Sequence, residues 1–70
     1  MPYVNIKITP EGATAAKKAE LISGVTDLLA RSLGKNPETT HVVIDVVETE
    51  SWGLGGFPVD EYRRMKSGGS

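Results

Sequence analysis

The sequence predicts a small α/β fold, a β-α-β protomer with two parallel strands followed by a C-terminal hairpin or loop. Two strand-like apolar patterns flank one stretch of helical periodicity between Pro2 and Val47. Two strands joined by a crossover helix lie parallel in one sheet, and the crossover is right-handed. A glycine-rich segment after the second strand supplies the hairpin or loop.

The first strand is predicted over residues 2–9, where apolar and polar side chains alternate. Val4, Ile6 and Ile8 share one face of this strand. A turn is predicted at residues 10–12, because proline presets φ and glycine accepts a positive φ. The strand therefore begins almost at the first residue of the sequence.

The helix is predicted over residues 14–33 because apolar residues recur there at steps of three and four. These residues are Leu21, Ile22, Val25, Leu28, Leu29 and Leu33. Thr14 is a suitable N-cap, and Gly34 suits the position after the last helical residue. Gly24 in the helix interior costs up to about 1 kcal/mol relative to alanine. We therefore expect another element to approach closely at Gly24.

The second strand is predicted over residues 41–47, a nearly continuous run of apolar, mostly β-branched residues that is typical of a strand covered on both faces. Since one helix covers only one face of a two-stranded sheet, a second copy is expected on the other face. Residues 51–56 predict a tight hairpin or a loop folded over a neighbour. Residues 1–66 are interpreted as a single domain and residues 67–70 as a flexible tail.

Composition and charge narrow the class of protein. A chain of 70 residues buries a small share of its surface, and without cysteine it has no disulfide to compensate. One histidine and no thiol make a structural zinc site improbable, so self-association is expected instead. The net charge of −1 argues against nucleic-acid partners, and no apolar run reaches the roughly 18 residues of a membrane span. We expect a cytoplasmic protein with neither nucleic-acid nor membrane partners.

Pro2 is the candidate catalytic residue. Removal of Met1 would leave Pro2 with a free secondary amine, held on a rigid ring at the head of a strand. An apolar environment lowers the pKa of an amine, which suits a general base working near neutral pH. The simpler alternative is that Pro2 only begins a strand, where its missing N–H costs nothing.

Four segments occur in a characteristic order along the chain: MPYVNIKI at residues 1–8, KAELI at 18–22, VVI at 42–44 and WGLGG at 52–56. Together they resemble the 4-oxalocrotonate tautomerase family, from residue 1 to about residue 64. The resemblance implies β-α-β protomers that assemble into hexamers, with neither a metal nor an organic cofactor. It implies that Pro2 moves a proton between the enol and keto forms of a small 2-oxo or 2-hydroxydienoate acid.

The chain departs from that family at two arginine positions. The best-known members have arginines where this chain has Ala13 and His41. It thus lacks the expected clamp for a dicarboxylate, which weakens 4-oxalocrotonate as substrate more than it weakens proline-based tautomerisation. His41 could donate a hydrogen bond to substrate from that place, or be a solvated residue at a strand start. Trp52 matches an aromatic residue that lines the family's active site, or is a core or interface anchor.

Other cations are weaker candidates for substrate binding. Lys7 and either Lys17 or Lys18 could supply positive charge, although such lysines are ordinarily solvated. Arg63 and Arg64 lie in a mostly polar segment that would reach substrate only by folding back over the pocket. Their ordinary interpretation is solvation or an ion pair between subunits.

Three functions remain open from the sequence. The first is a tautomerase acting on a small carbonyl or enol acid, with Pro2 as base and with His41 and Trp52 binding substrate. The second is a non-catalytic oligomeric binding or scaffold protein on the same fold. The third is a hydratase or dehalogenase-type enzyme that uses Pro2.

Overall fold

The computed structural model describes residues 1–68 and confirms the predicted β-α-β plan. In chain order its strands and helices are β1 (Tyr3–Ile8), α1 (Ala15–Leu33), β2 (His41–Val46), β3 (Gly53–Leu54), β4 (Phe57–Pro58) and α2 (Val59–Gly68). Short 3-10 helices occupy Pro37–Thr39 and Thr49–Ser51. Strands β1 and β2 are parallel neighbours, and β3 and β4 form an antiparallel hairpin.

The two faces of the β1–β2 sheet differ in polarity. Val4, Ile6 and Ile8 of β1 are half-buried, whereas the alternating side chains are exposed, as the strand pattern predicts. On the exposed face, Lys7 Nζ and an amide N–H of Asn5 both donate to one carboxylate oxygen of Asp45, each at 2.9 Å. The sheet therefore has one apolar face near α1 and one open face.

Helix α1 has both of the predicted caps. The Thr14 hydroxyl accepts a hydrogen bond from the Lys17 backbone N–H at 3.2 Å. Gly34 adopts the left-handed conformation with φ 65° and donates its N–H to the Ala30 carbonyl at 3.0 Å. The expectation for Gly24 is wrong within the protomer, because a Cβ built there meets no atom of another element within 4 Å. Gly24 lies on the exposed side of α1.

The predicted hairpin is present, with Gly55 and Gly56 at its turn and φ values of 64° and 89°. Two consecutive positive φ values are the signature of a type I′ turn, which glycine adopts without strain.

Helix α2 was not expected, because Arg63 and Arg64 lie in a mostly polar segment for which no helix was predicted. Its few apolar side chains, Val59, Tyr62 and Met65, recur every third residue, and only Val59 is buried, at 4% exposure. Asp60 and Glu61 in its first turn and Lys66 in its last complement the helix dipole. The proposed tail, residues 67–70, overlaps the end of α2, and its residues 69 and 70 lie outside the described part of the chain.

Much of the apolar surface of the described protomer remains in contact with solvent. Among residues 1–68, Val59 is the one hydrophobic residue that is buried, with 4% of its surface exposed. The large exposed apolar residues are Met1, Tyr3, Leu21, Ile22, Leu28, Leu33, Val43, Val46, Leu54, Phe57 and Met65. Apolar exposure on this scale is typical of surfaces that another chain covers.

Candidate active site

Pro2 lies half-buried immediately before β1. Its carbonyl accepts a hydrogen bond from the His41 backbone N–H at 3.0 Å, which extends the β1–β2 ladder by one step. Met1 is 86% exposed, so its removal would not disturb packing within the protomer. While Met1 is attached, the Pro2 nitrogen is an amide nitrogen whose lone pair is delocalised into the carbonyl group. Base chemistry at Pro2 therefore requires that Met1 be absent.

His41 lies next to Pro2 in the backbone ladder but on a different face of the sheet. His41 stands opposite Tyr3 in the register of the two strands, and both side chains are exposed. Because successive side chains of a strand alternate, Pro2 belongs to the same face as Val4 and Ile6. The structure thus brings the backbones of Pro2 and His41 together while their side chains point to opposite faces.

A groove of about 490 Å³ lies at the other end of β1, where the strand runs into the turn before α1. Residues of β1, this turn and α1 contribute to its walls, together with Trp52, which immediately precedes β3. They include Ile8, Glu11, Lys17, Glu20, Leu21 and Trp52. A smaller cavity of about 290 Å³ shares Lys7 and Trp52 with the groove. Trp52 therefore has open space on more than one side.

The C-terminal helix holds Trp52 in place through the backbone on either side of it. The Trp52 N–H donates to the Thr49 carbonyl at 3.2 Å, and the Trp52 carbonyl accepts from the Val59 N–H at 2.7 Å. The Thr49 hydroxyl donates to the Asp60 carboxylate at the start of α2. Sequence reasoning found Trp52 but missed this support, whose only local signal is the three-residue spacing of apolar residues in α2.

Arg63 forms an ion pair within the protomer. Its Nη1 donates to Glu11 Oε1 at 2.7 Å and connects α2 to the turn between β1 and α1. Hydrogen bonds from the Thr9 hydroxyl and the Arg63 guanidinium stabilise the ionised carboxylate and lower the pKa of Glu11 to about 2. Glu11 correspondingly raises the pKa of Arg63 above its ordinary value. The two residues are 52 positions apart, so no local sequence pattern indicates their contact.

The lysines near the groove also have acidic partners. Lys7 Nζ lies 2.9 Å from Asp45, and hydrogen bonds from Asn5 and Lys7 lower the pKa of the Asp45 carboxyl. Lys17 Nζ lies 3.6 Å from Glu20 Oε1, one helical turn along α1. Of the two adjacent lysines considered from the sequence, Lys17 lines the groove.

One protomer does not gather the three predicted site residues in one place. Pro2 and His41 lie at one end of the sheet and Trp52 at the other. With a rise of about 3.3 Å per strand residue, Pro2 and Ile8 are about 20 Å apart. The described protomer thus has a proline end and a groove end.

Among residues 1–68, no three or more histidine, aspartate or glutamate side chains are placed so that they could hold a metal ion. Neither helix in the same range combines the length and the apolar character needed to cross a lipid bilayer.

Comparison with known families matches residues 2–62 to the family described as tautomerase enzyme. The chain belongs to this family. A probable tautomerase K2 of Dickeya dadantii (strain 3937) is 58% identical over 67 residues, covering 96% of this chain and 100% of that protein.

Solved structures of family relatives have the same fold. The crystal structure of DmpI from Helicobacter pylori matches with a TM-score of 0.82 at 44% identity, over 86% of this chain and 98% of DmpI. TomN, a 4-oxalocrotonate tautomerase homologue in the tomaymycin biosynthetic pathway, matches with a TM-score of 0.81 at 27% identity, over 89% of this chain and 94% of TomN.

These relatives confirm the resemblance to the 4-oxalocrotonate tautomerase family and the β-α-β fold that it implies. Membership of the family supports an isomerase of the tautomerase type.

Proposed function

We propose that this chain is a tautomerase in which Pro2, freed by removal of Met1, moves a proton between the enol and keto forms of a small 2-oxo or 2-hydroxydienoate acid. The observation that carries the proposal is a proline at the head of β1, next to an exposed Met1, in a chain of the tautomerase family. The amine of Pro2 is the base, and the reaction needs neither a metal nor an organic cofactor.

The Pro2 amine both accepts and donates the proton, so the reaction consumes and releases no proton overall. In ketonisation, the neutral Pro2 amine accepts the proton of the substrate's enol oxygen. The C=O bond forms as the π electron pair of the C=C bond moves to the carbon that will be protonated. The resulting prolinium then donates a proton to that carbon, which restores the neutral amine. A general base of this kind contributes about 10²- to 10⁴-fold to the rate.

Self-association offers a route to a complete site. In the described protomer β1 pairs only with β2, so its outer edge presents unpaired backbone groups that another strand can bind. Antiparallel pairing of β1 with a second copy would bring the start of one strand to the end of the other. Pro2 of one copy would then lie at the groove of its neighbour. We propose a homo-oligomer on this basis, and a hexamer by resemblance to the family.

Trp52 and His41 are the proposed substrate-binding residues. Trp52, on the groove wall, would provide the apolar surroundings that keep the Pro2 amine of the neighbouring copy neutral. His41 would donate a hydrogen bond to a substrate oxygen from the place where the family has an arginine. Because its side chain lies on the sheet face opposite Pro2 of the same protomer, it would serve a site formed with a different copy. Both roles follow from the resemblance together with the assembly proposed above.

A non-catalytic binding protein is the second candidate function. It is favoured by the lack of an unpaired cation among the candidates near the groove, since Lys7, Lys17 and Arg63 all have acidic partners. The two places where the family's best-known members have arginine are occupied by Ala13 and His41. Such a protein would bind a small acid in the groove without converting it. The kinetic experiment below separates the two functions.

The test begins with the mass of the purified chain, which establishes whether Met1 is absent. Ketonisation of phenylenolpyruvate and 2-hydroxymuconate is then followed by ultraviolet absorbance for wild type, Pro2→Ala and the matched control Pro10→Ala. We expect kcat/KM to fall about 100-fold in Pro2→Ala and to stay near wild type in Pro10→Ala. Equal rates for Pro2→Ala and wild type would exclude Pro2 as the base, and an inactive wild type lacking Met1 would favour the binding protein.

Two further parts of the proposal concern cofactor and compartment. Activity should survive exhaustive dialysis against a metal chelator, since the proposed chemistry uses only the Pro2 amine. The proposal also keeps the cytoplasmic location expected from the sequence, which subcellular fractionation would test.

A further inference from the structure

Two lysines line the groove beside Trp52, and they differ in how firmly they are held. Lys7 Nζ lies 2.9 Å from Asp45 Oδ2, an oxygen that also accepts a hydrogen bond from Asn5. Lys17 Nζ lies 3.6 Å from Glu20 Oε1, which is longer than a hydrogen bond, and its side chain is 67% exposed. An exposed ion pair of this length is weak. Lys17 is therefore free to exchange Glu20 for another carboxylate.

The arginine that adjoins the groove is already occupied. Arg63 binds Glu11 at 2.7 Å, and the lowered pKa of Glu11 keeps that carboxylate ionised throughout the neutral range. Glu11 itself lines the groove. Glu11 thus neutralises Arg63 and leaves its guanidinium unavailable to a further anion.

The remaining groove wall is apolar. Ile8, Leu21 and Trp52 border the same space as Lys17, and the volume of about 490 Å³ lies within the range of small-molecule sites. The groove thus combines an apolar wall with charged side chains that are all paired, of which Lys17 is the most weakly held cation.

We propose that Lys17 binds the carboxylate of the substrate, and that the groove takes a small 2-oxo or enol monocarboxylate whose apolar body lies against Trp52. A dicarboxylate is disfavoured because its second carboxylate finds Arg63 already bound by Glu11 and Lys7 already bound by Asp45. Lys17 and Glu11 are then the residues that determine specificity. The inference rests on the proposed function for its reaction, whereas its binding step is testable without catalysis.

Trp52 is the sole tryptophan of the chain, so its fluorescence reports binding in the groove. The full-length protein is titrated with 3-phenylpropionate and with the uncharged 3-phenylpropanamide. We expect Lys17→Met to weaken binding of the acid roughly fivefold without changing that of the amide. Glu20→Gln should tighten binding of the acid about twofold, since it frees Lys17. The matched control Lys18→Met should bind like wild type.

The binding experiment overturns the inference if wild type binds acid and amide equally, or if Lys17→Met and Lys18→Met weaken the acid to the same extent. Circular dichroism of each variant shows that the fold is retained. None of these outcomes depends on Pro2, so the binding experiment tests the inference independently of the proposed tautomerase function.

The kinetic experiment tests the part assigned to Glu11. We expect wild type to convert phenylenolpyruvate with a higher kcat/KM than 2-hydroxymuconate, and Glu11→Gln to raise kcat/KM for the dicarboxylate selectively, by about tenfold or less. If Glu11→Gln leaves the ratio of kcat/KM for the two substrates unchanged, the specificity assigned to Glu11 is overturned. Equal rates in wild type and Pro2→Ala would instead exclude Pro2 as the base and leave the specificity assignment untouched.

Discussion

Arg63 of α2 and Glu11 of the turn between β1 and α1 form an ion pair with 2.7 Å between Nη1 and Oε1, across 52 residues of chain. The pair connects the helix that supports Trp52 to the turn that forms another wall of the groove. Both side chains are more than half exposed, so the pair positions two elements more than it stabilises the fold.

The hydrogen bonds that Thr9 and Arg63 donate to Glu11 predict a pH dependence of stability. Glu11 has a pKa of about 2 in the folded chain against an ordinary value of 4.5, so between these values only the unfolded chain binds a proton there. Stability from Glu11 is therefore complete above about pH 4.5 and is lost as the pH falls towards 2. Glu11→Gln should show a shallower loss of urea resistance than wild type between pH 5 and about 2.

Glu50→Gln is the matched control for that experiment, because it removes an exposed carboxylate of the 3-10 helix Thr49–Ser51. Its stability to urea should fall with pH between pH 5 and about 2 in the same way as that of wild type. The same loss of stability at low pH in Glu11→Gln and in wild type would contradict the contribution assigned to Glu11.

Trp52→Ala should lower kcat/KM for phenylenolpyruvate by about tenfold or more, because the groove loses an aromatic wall. Trp52→Phe should retain most of the activity, since it keeps an apolar ring. Steady-state kinetics by ultraviolet absorbance measures both variants. Unaltered kcat/KM in Trp52→Ala would show that Trp52 serves only as a structural anchor.

Val59→Ala should destabilise the protein by about 1.5 to 2 kcal/mol, because two buried methyl groups are lost where α2 meets the hairpin. Urea unfolding at a fixed protein concentration gives the free energy of unfolding. Met65→Ala, at a residue that is 47% exposed in the same helix, is the control and should cost less than half as much. Equal losses in the two variants would contradict the burial of Val59.

Gly24→Ala should raise the free energy of unfolding by about 0.5 to 1 kcal/mol, because alanine favours the helix and its methyl group meets no atom of another element within 4 Å. Gly34→Ala should lower it by about 1 kcal/mol, since φ is 65° there. Thermal or urea unfolding of both variants checks the pair. A destabilised Gly24→Ala would indicate that a neighbouring copy packs closely on this side of α1.

Dilution should lower the thermal stability of the wild-type protein, because the described protomer leaves one sheet face and many apolar side chains exposed. Light scattering and thermal unfolding over a hundredfold range of concentration measure the effect. A monomer whose Tm does not change with concentration would contradict the proposed homo-oligomer.

The elements with strong local signals were predictable from the sequence. Alternation from Val4 to Ile8 and the periodicity of α1 follow from local packing, and Thr14 and Gly34 cap α1 as expected. Helix α2 was missed because its apolar positions are few and its order depends on contacts with the hairpin. The ion pair of Arg63 with Glu11 was missed because only folding brings the two residues together.

The sequence by itself determined the β-α-β plan, the family resemblance and the candidacy of Pro2, because strand alternation, helical period, glycine turns and the order of motifs are local properties of the chain. Only the tertiary structure decided that Pro2 and Trp52 lie at opposite ends of β1, that Lys17 lines the groove and that Arg63 neutralises Glu11. These relationships depend on where distant segments meet, and that is set by packing and charge pairing across the fold.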